Sequence, residues 1–168
     1  MTIAVRAAGP DDAAAIRAVH LAAFSVPNEA DLVEQLEQDG DVVLSLVAIE
    51  QDRIVGHVLI SRMTAEGDGR RFRAVGLAPV GVLPERQTAG IGSRLIREAL
   101  DRLRTQGEQL VFVVGQPGFY RRFGFDAQTA APFASPYAGR YFMALALGDF
   151  EIPAAGRADH APTFAAFE

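Results

Sequence analysis

The chain predicts an α+β domain, and three patterns point there. Two segments of helical period come first, then two apolar runs separated only by Gln51 and Asp52, and finally a long amphipathic segment set between two further apolar runs. The 168 residues are 49% apolar and 22% charged, the balance of one soluble globular domain with a core of its own.

The elements follow in order. Ile3 to Arg6 reads as a short strand stopped by Gly9 and Pro10, and Asp11 or Asp12 can cap a helix in which Ile16, Val19, Ala23 and Phe24 form one face. His20 lies beside that seam and reads as a packed histidine. A second helix spans about 28–38, with Leu32, Val33 and Leu36 apolar. Strands are expected over 42–49 and 54–60, with a further turn at Gly67, Asp68 and Gly69. The Arg70, Arg71 and Arg73 cluster next to that turn reads as a solvated surface. A strand over 72–83 contains Gly76, Pro79 and Gly81, and proline inside a central strand signals a bulge or an edge. The helix over 90–104 puts Ile91, Leu95, Ile96, Ala99, Leu100 and Leu103 on one side. Leu110 to Val114 is a strand, 117–123 a short helix and 141–147 the last strand. Residues 1–148 therefore form the domain. The 149–168 tail carries Phe150, Ile152, Phe164 and Phe167 and is expected to pack on that domain or on a partner.

Composition removes whole chemistries. There is no cysteine, and all 16 basic residues are arginine. Disulfides, thiolate nucleophiles, zinc ribbons, Schiff bases and the lysine of a Walker loop are thereby excluded. Three dispersed histidines argue against a metal site. A net charge of −5 argues against nucleic acid as a partner. No apolar run approaches the ~18 residues that span a membrane, and no signal-like segment opens the chain. A cytoplasmic location is expected.

The stretch from Val80 to Leu95 carries the chemistry. A strand ends near Pro84, a polar turn follows, and Gln87-x-x-Gly90-x-Gly92 opens the long helix. The first N–H groups of a helix have no backbone acceptor, and its dipole makes that end positive. Glycine lets an anion approach the backbone, so phosphate can bind here without lysine. A dinucleotide fingerprint fails, because Leu95 stands where its third glycine belongs and no acid follows the 110–114 strand.

This pattern resembles the GNAT family of acetyl-CoA-dependent N-acetyltransferases, whose signature is Q/R-x-x-G-x-G/A after a V-x-P strand end. Val82-Leu83-Pro84 and Gln87 to Gly92 match it in order and spacing. The segments AAFSVPNEADLVEQL, IVGHVLIS, LVFVVGQPGFYRRFGF and HAPTF are similar to the small bacterial YhbS-like branch of that family. The resemblance implies a three-layer α+β fold. Its central sheet is mixed and mostly antiparallel, parts at the acetyl-CoA cleft, and is flanked by about four helices. It also implies that backbone at Val80, Gly81 and Val82 pairs with the pantetheine arm. The amides of Gln87, Thr88, Ala89, Gly90, Ile91, Gly92 and Ser93 would hold the pyrophosphate. Arg86, Arg94, Arg121 and Arg122 are candidates for the adenosine-side phosphate.

The same resemblance assigns Tyr120, four residues before Gly124, as the acid that protonates the departing thiolate; the alternative is a tyrosine that anchors a short helix. Many relatives carry asparagine near the start of this helix, whereas this chain has Gln116-Pro117-Gly118. For the general base, Glu29, Glu85 and His57 stay open. The function expected is direct acetyl transfer from acetyl-CoA to a primary amine of a small acceptor, with no metal. A catalytically weak acyl-CoA-binding sensor of the same fold is the alternative, and a homodimer stays open.

Overall fold

Asp12 fixes how the chain enters its first helix. Its carboxylate accepts the Gly9 N–H at 2.7 Å and takes a two-pronged hydrogen bond from Arg6 at 2.7 and 3.0 Å. Asp12 thus closes the turn before the helix instead of capping the helix end by its side chain, as the sequence had suggested. Arg6 and the Gly9 amide hold this carboxyl well below the usual carboxylate range, at about 2.

The computed structural model describes residues 2–167. The strands are β1 (Ile3–Ala7), β2 (Val42–Glu50), β3 (Arg53–Gly67), β4 (Arg70–Val82), β5 (Leu110–Val114), β6 (Phe133–Ala134), β7 (Phe142–Ala146) and β8 (Gly156–Asp159). The helices are α1 (Ala13–Ala23), α2 (Asn28–Asp39), α3 (Ile91–Thr105), α4 (Pro117–Tyr120) and α5 (Ala127–Ala130). Short 3-10 turns cover Pro84–Arg86, Arg121–Phe123 and Pro162–Phe167. The sheet is mixed and mostly antiparallel, as expected. The chain forms two compact units, one of Met1–Ser61, Ala78–Leu100 and Pro162–Glu168, the other of Arg62–Leu77 and Asp101–Ala161.

In the first unit β1 pairs antiparallel with β2, and β2 with β3. Helices cover both faces, which follows from two consecutive residues of β3. Gly56 abuts α3, where a Cβ would lie 3.0 Å from Leu95 and 3.1 Å from Ile91. His57 bonds His20 of α1. Neighbouring strand residues point to opposite faces, so α1 and α3 lie on opposite sides of the sheet. The C-terminal 3-10 turn belongs to this unit, and the Thr163 hydroxyl bonds the Asp39 carboxylate of α2.

In the second unit β5 pairs parallel with β4 and antiparallel with β7. The parallel ladder joins Ala74–Gly76 to Leu110–Phe112 and ends there, although both strands continue. Pro79 lies beyond the last pair, so its missing N–H breaks no bond of that ladder. Phe112 stacks on Phe142 and meets Phe133 edge-on, both at 5.3 Å between centroids, in a cluster that also buries Met63, Phe72 and Leu110.

β3 runs well past Ile60, the end expected from its apolar run. Met63 and Ala65 are buried at alternate positions while Thr64 and Glu66 are exposed, a period that a search for continuous apolar residues misses. The 149–168 segment contributes β8, paired antiparallel with Thr64–Gly67, and places Phe150 and Ile152 against the aromatic cluster. β6 and α5, with two and four residues, are too short to leave a periodic signal.

Glu108, just before β5, is buried and bridges two arginines. Arg62 grips both carboxylate oxygens at 2.7 and 2.9 Å, and Arg73 adds a bond of 2.6 Å. Burial raises the Glu108 pKa, but the bonds from Arg62 and Arg73 outweigh it and leave the carboxyl below its ordinary value. Glu108→Ala is expected to destabilise the fold by roughly 1–3 kcal/mol in urea unfolding. The contribution of this group is present above the ordinary glutamate pKa and fades as pH falls through the lowered one, so the gap between wild type and variant should narrow in acid. Phe112→Ala should cost about 3–5 kcal/mol in the same measurement.

Candidate active site

The site is built where β4 gives way to α3. After Val82 the chain makes the Pro84–Arg86 turn, in which the Arg86 N–H bonds the Leu83 carbonyl at 2.8 Å and the Gln87 N–H bonds that of Pro84 at 3.3 Å. Thr88 and Gly90 then take left-handed conformations, φ 66° and 83°. Threonine rarely adopts this geometry, so the shape of the turn is imposed by what flanks it. The first helical bond of α3 runs from the Arg94 N–H to the Gly90 carbonyl at 3.0 Å. The N–H groups of Ile91, Gly92 and Ser93 therefore precede the intrahelical ladder and point out of the helix start. Thr88, Ala89 and Gly90 are exposed, and Gly92 and Ser93 half-buried.

The Gln87 side chain has a positioning part. Its amide donates to the Val82 carbonyl at 3.1 Å, tying the turn back to the end of β4. Arg86 is likewise committed, gripping the buried Glu50 at 2.7 and 2.8 Å, and so braces the turn from below. Arg94 is exposed on α3.

Beneath β4 lies a buried polar chain. The Ser45 hydroxyl of β2 bonds His57 Nε2 at 2.8 Å, and His57 Nδ1 bonds His20 Nε2 at 2.8 Å. Both imidazoles are fully buried. Burial pushes His20 down to about 4; burial and the neighbouring His20 push His57 to about 3. His20 Nδ1 is buried and has no hydrogen-bond partner among the described residues. It lies against Gly81, where a Cβ would come within 2.7 Å of it.

The other two carboxylate candidates differ sharply. Glu85 is exposed and paired with Arg53 at 3.1 Å; its own backbone N–H first, and then Arg53, hold it below the usual carboxylate range. Glu29, in the first turn of α2, is half-buried, and its Oε2 is buried with no hydrogen-bond partner among the described residues.

In the second unit Tyr120 ends α4, its N–H bonded to the Gln116 carbonyl at 3.1 Å. Its ring packs edge-on against Phe119 and Phe125, at 5.0 and 5.9 Å, and fills the space beside Gly115 so closely that no Cβ fits there. Burial pushes the phenol above its ordinary pKa. The phenol is thus a neutral donor at any physiological pH. Gln116 is exposed and makes no side-chain cap. Arg122 lies over the Phe119 ring at 4.5 Å, and Arg121 is exposed. Near the C-terminus His160 meets Tyr137 edge-on at 4.9 Å and rests against Gly76. Sequence reasoning gave His160 no role, since a lone histidine in a tail gives no periodic or spacing signal.

Residues 4–127 match the model of the acetyltransferase (GNAT) domain. The chain belongs to the GNAT acetyltransferase family. It has the fold of that family as well. A GNAT acetyltransferase from Brucella melitensis, solved in complex with acetyl-CoA, superposes with a TM-score of 0.80 at 36% identity, covering 97% of this chain and 98% of that one. YhbS from Escherichia coli, solved in complex with CoA, gives 0.85 at 28% identity over 97% and 92%. In sequence, the uncharacterized N-acetyltransferase YjhQ of Escherichia coli K12 is 43% identical over 117 residues, 68% of this chain and 65% of that protein. The GNAT chain therefore aligns with just under two thirds of YjhQ. Among the described residues no helix is long and apolar enough to cross a membrane, and no three His, Asp or Glu residues gather in a way that could hold a metal.

Two glycines of the turn region should respond differently to alanine. Gly81→Ala drives a Cβ into the pinned His20 ring and is expected to cost about 1–3 kcal/mol. Gly92→Ala meets only Val82 at 3.8 Å within a helix, so thermal unfolding should be unchanged or slightly raised.

Proposed function

We propose that this GNAT domain transfers acetyl from acetyl-CoA directly to a small primary amine of low basicity. The observation that carries the donor half is the Thr88–Ser93 turn, with its unladdered N–H groups at the start of α3. The pyrophosphate is an anion that such a turn suits. The Brucella and YhbS complexes hold acetyl-CoA and CoA, respectively, which supports the same donor here. Val80, Gly81 and Val82 offer backbone to the pantetheine arm as an added strand would. Gln87 shapes the turn through Val82 instead of touching the phosphates by its side chain. Arg86, paired with Glu50, braces; Arg94, Arg121 and Arg122 are left for the adenosine-side phosphate.

The acceptor half follows from the bases on hand. Glu85 is tied to Arg53, and His57 is buried and neutral with both ring nitrogens bonded. Glu29 keeps one carboxylate oxygen without a hydrogen-bond partner among the described residues and is the carboxylate left open as a base. A lysine-type amine, with pKa near 10.4, costs about 4.6 kcal/mol to neutralise at pH 7, and an α-amine near 7.8 only about 1. A site without a strong base suits the second. With no cysteine in the chain, transfer is direct: the amine attacks the thioester carbonyl, the C–S bond breaks and CoA leaves as thiolate. Tyr120 donates a hydrogen bond to that thiolate. A phenol pushed above 10 gives up its proton less readily, so its part is to stabilise developing charge as it donates.

Acetyl-CoA at a hundredfold excess over Kd is expected to stabilise the protein by ~2.7 kcal/mol, read as a rise in Tm; no rise would defeat the donor assignment. Tyr120→Phe should lower kcat about tenfold or more while KM for acetyl-CoA hardly moves. Given glycinamide, phenethylamine and Nα-acetyl-lysine amide, release of free CoA should be fastest with glycinamide. Preference for the lysine compound would refute the low-basicity acceptor. Tight acetyl-CoA binding without turnover on any amine would favour the sensor reading.

A further inference from the structure

The polar chain under β4 has a use that its burial alone does not explain. Ser45, His57 and His20 sit on three different elements, yet their side chains join through two bonds of 2.8 Å. Two buried imidazoles in an apolar layer are costly unless every nitrogen is bonded, and one of the four, His20 Nδ1, has no partner among the described residues. The open nitrogen faces Gly81, in the stretch of β4 assigned above to the donor arm. At the other end Ser45 is half-buried rather than sealed. Phe24, itself half-buried, stacks on His20 at 6.0 Å at the C-terminal end of α1.

We propose that Ser45, His57 and His20 form a proton relay for acetyl transfer, with His20 Nδ1 as its inner end and the Ser45 hydroxyl as its outer one. The proposal rests on the function given above. When His20 donates from Nε2 to His57 Nδ1 and His57 donates from Nε2 to Ser45, His20 Nδ1 carries a bare lone pair. Attack by a neutral amine forms the N–C bond and leaves the nitrogen with one proton too many. That proton passes to His20 Nδ1, directly or through one water; the Nε2 proton of His20 moves to His57 Nδ1; the Nε2 proton of His57 moves to Ser45; and the serine proton goes to water. The C–S bond breaks and the thiolate is protonated by way of Tyr120, which regains its proton from water. Both imidazoles end in their other neutral tautomer. The shift runs backward once products leave and water fills the site. Neither ring rests as a cation, in keeping with the low pKa values that burial gives both.

His20 is the group that would meet the substrate; His57 and Ser45 act through it. The test therefore uses the outer end, where the fold is least disturbed. Ser45→Ala should lower kcat with glycinamide about tenfold or more, leave KM for acetyl-CoA unchanged, and turn a curved proton inventory in mixed H2O/D2O linear. Ser45→Thr restores the hydroxyl and should recover most of kcat. A Tm measured on each variant shows that it is folded. Wild-type kcat and inventory in a folded Ser45→Ala would overturn the relay alone, as would a Ser45→Thr no better than Ser45→Ala. A wild type that binds acetyl-CoA and acetylates none of the three amines would overturn the function and the relay with it.

Discussion

A helix must begin somewhere, and its first N–H groups then have no partner inside it. In this protein that constraint falls on Ile91, Gly92 and Ser93, and the surrounding structure is arranged around it. Two left-handed residues, Thr88 and Gly90, bend the chain into the helix, and glycine at 90 and 92 places no side chain beside these amides. Gln87 ties the turn to Val82, and Arg86 anchors it to the buried Glu50. The helix is held against the sheet by close approach at Gly56, where a methyl group would sit tightly against Leu95 and Ile91. The start of α3 is thus positioned from three sides, by Val82, Glu50 and Gly56.

The same economy explains how a chain without lysine or cysteine can serve acyl transfer. Backbone amides at a helix start can offer an anion the positive potential that lysine offers in a Walker loop, and direct transfer needs no thiol. The titratable groups are sorted by environment. Glu50 and Glu108 are buried and matched with arginines, so they belong to the architecture. Glu85 is exposed and matched with Arg53. Among the titratable groups described in the first unit, Glu29 Oε2 and His20 Nδ1 are buried without a hydrogen-bond partner.

The aromatic cluster of the second unit plays a different part. Phe112, Phe133 and Phe142 build a rigid block, and the Phe119–Tyr120–Phe123 turn is held by edge-on ring contacts and by Arg122 laid across Phe119. The tyrosine is therefore fixed by packing on both sides of its ring, with Gly115 admitting it. A phenol held this way can hydrogen-bond developing charge with little rearrangement at the moment of reaction.

Much of this was legible in the residues alone. Helical period located α1, α2 and α3, continuous apolar runs located β2, β5 and the first half of β3, and the Gln87–Gly92 spacing identified the turn and the family. Those features are local, written in a few neighbouring residues. What tertiary structure decided is which polar groups are matched. Nothing in sequence joins Ser45 to His57 and His57 to His20, or Glu108 to Arg62 and Arg73, because the partners lie 12 to 46 residues apart. Nor could it show that Arg86 braces the turn, that β3 continues to Gly67, or that the tail returns as β8. The sequence by itself determined the fold class and the Gln87–Gly92 turn, since both depend on backbone geometry that short motifs encode. The folded chain alone decided which side chains are free to act, since that depends on burial and pairing between distant segments.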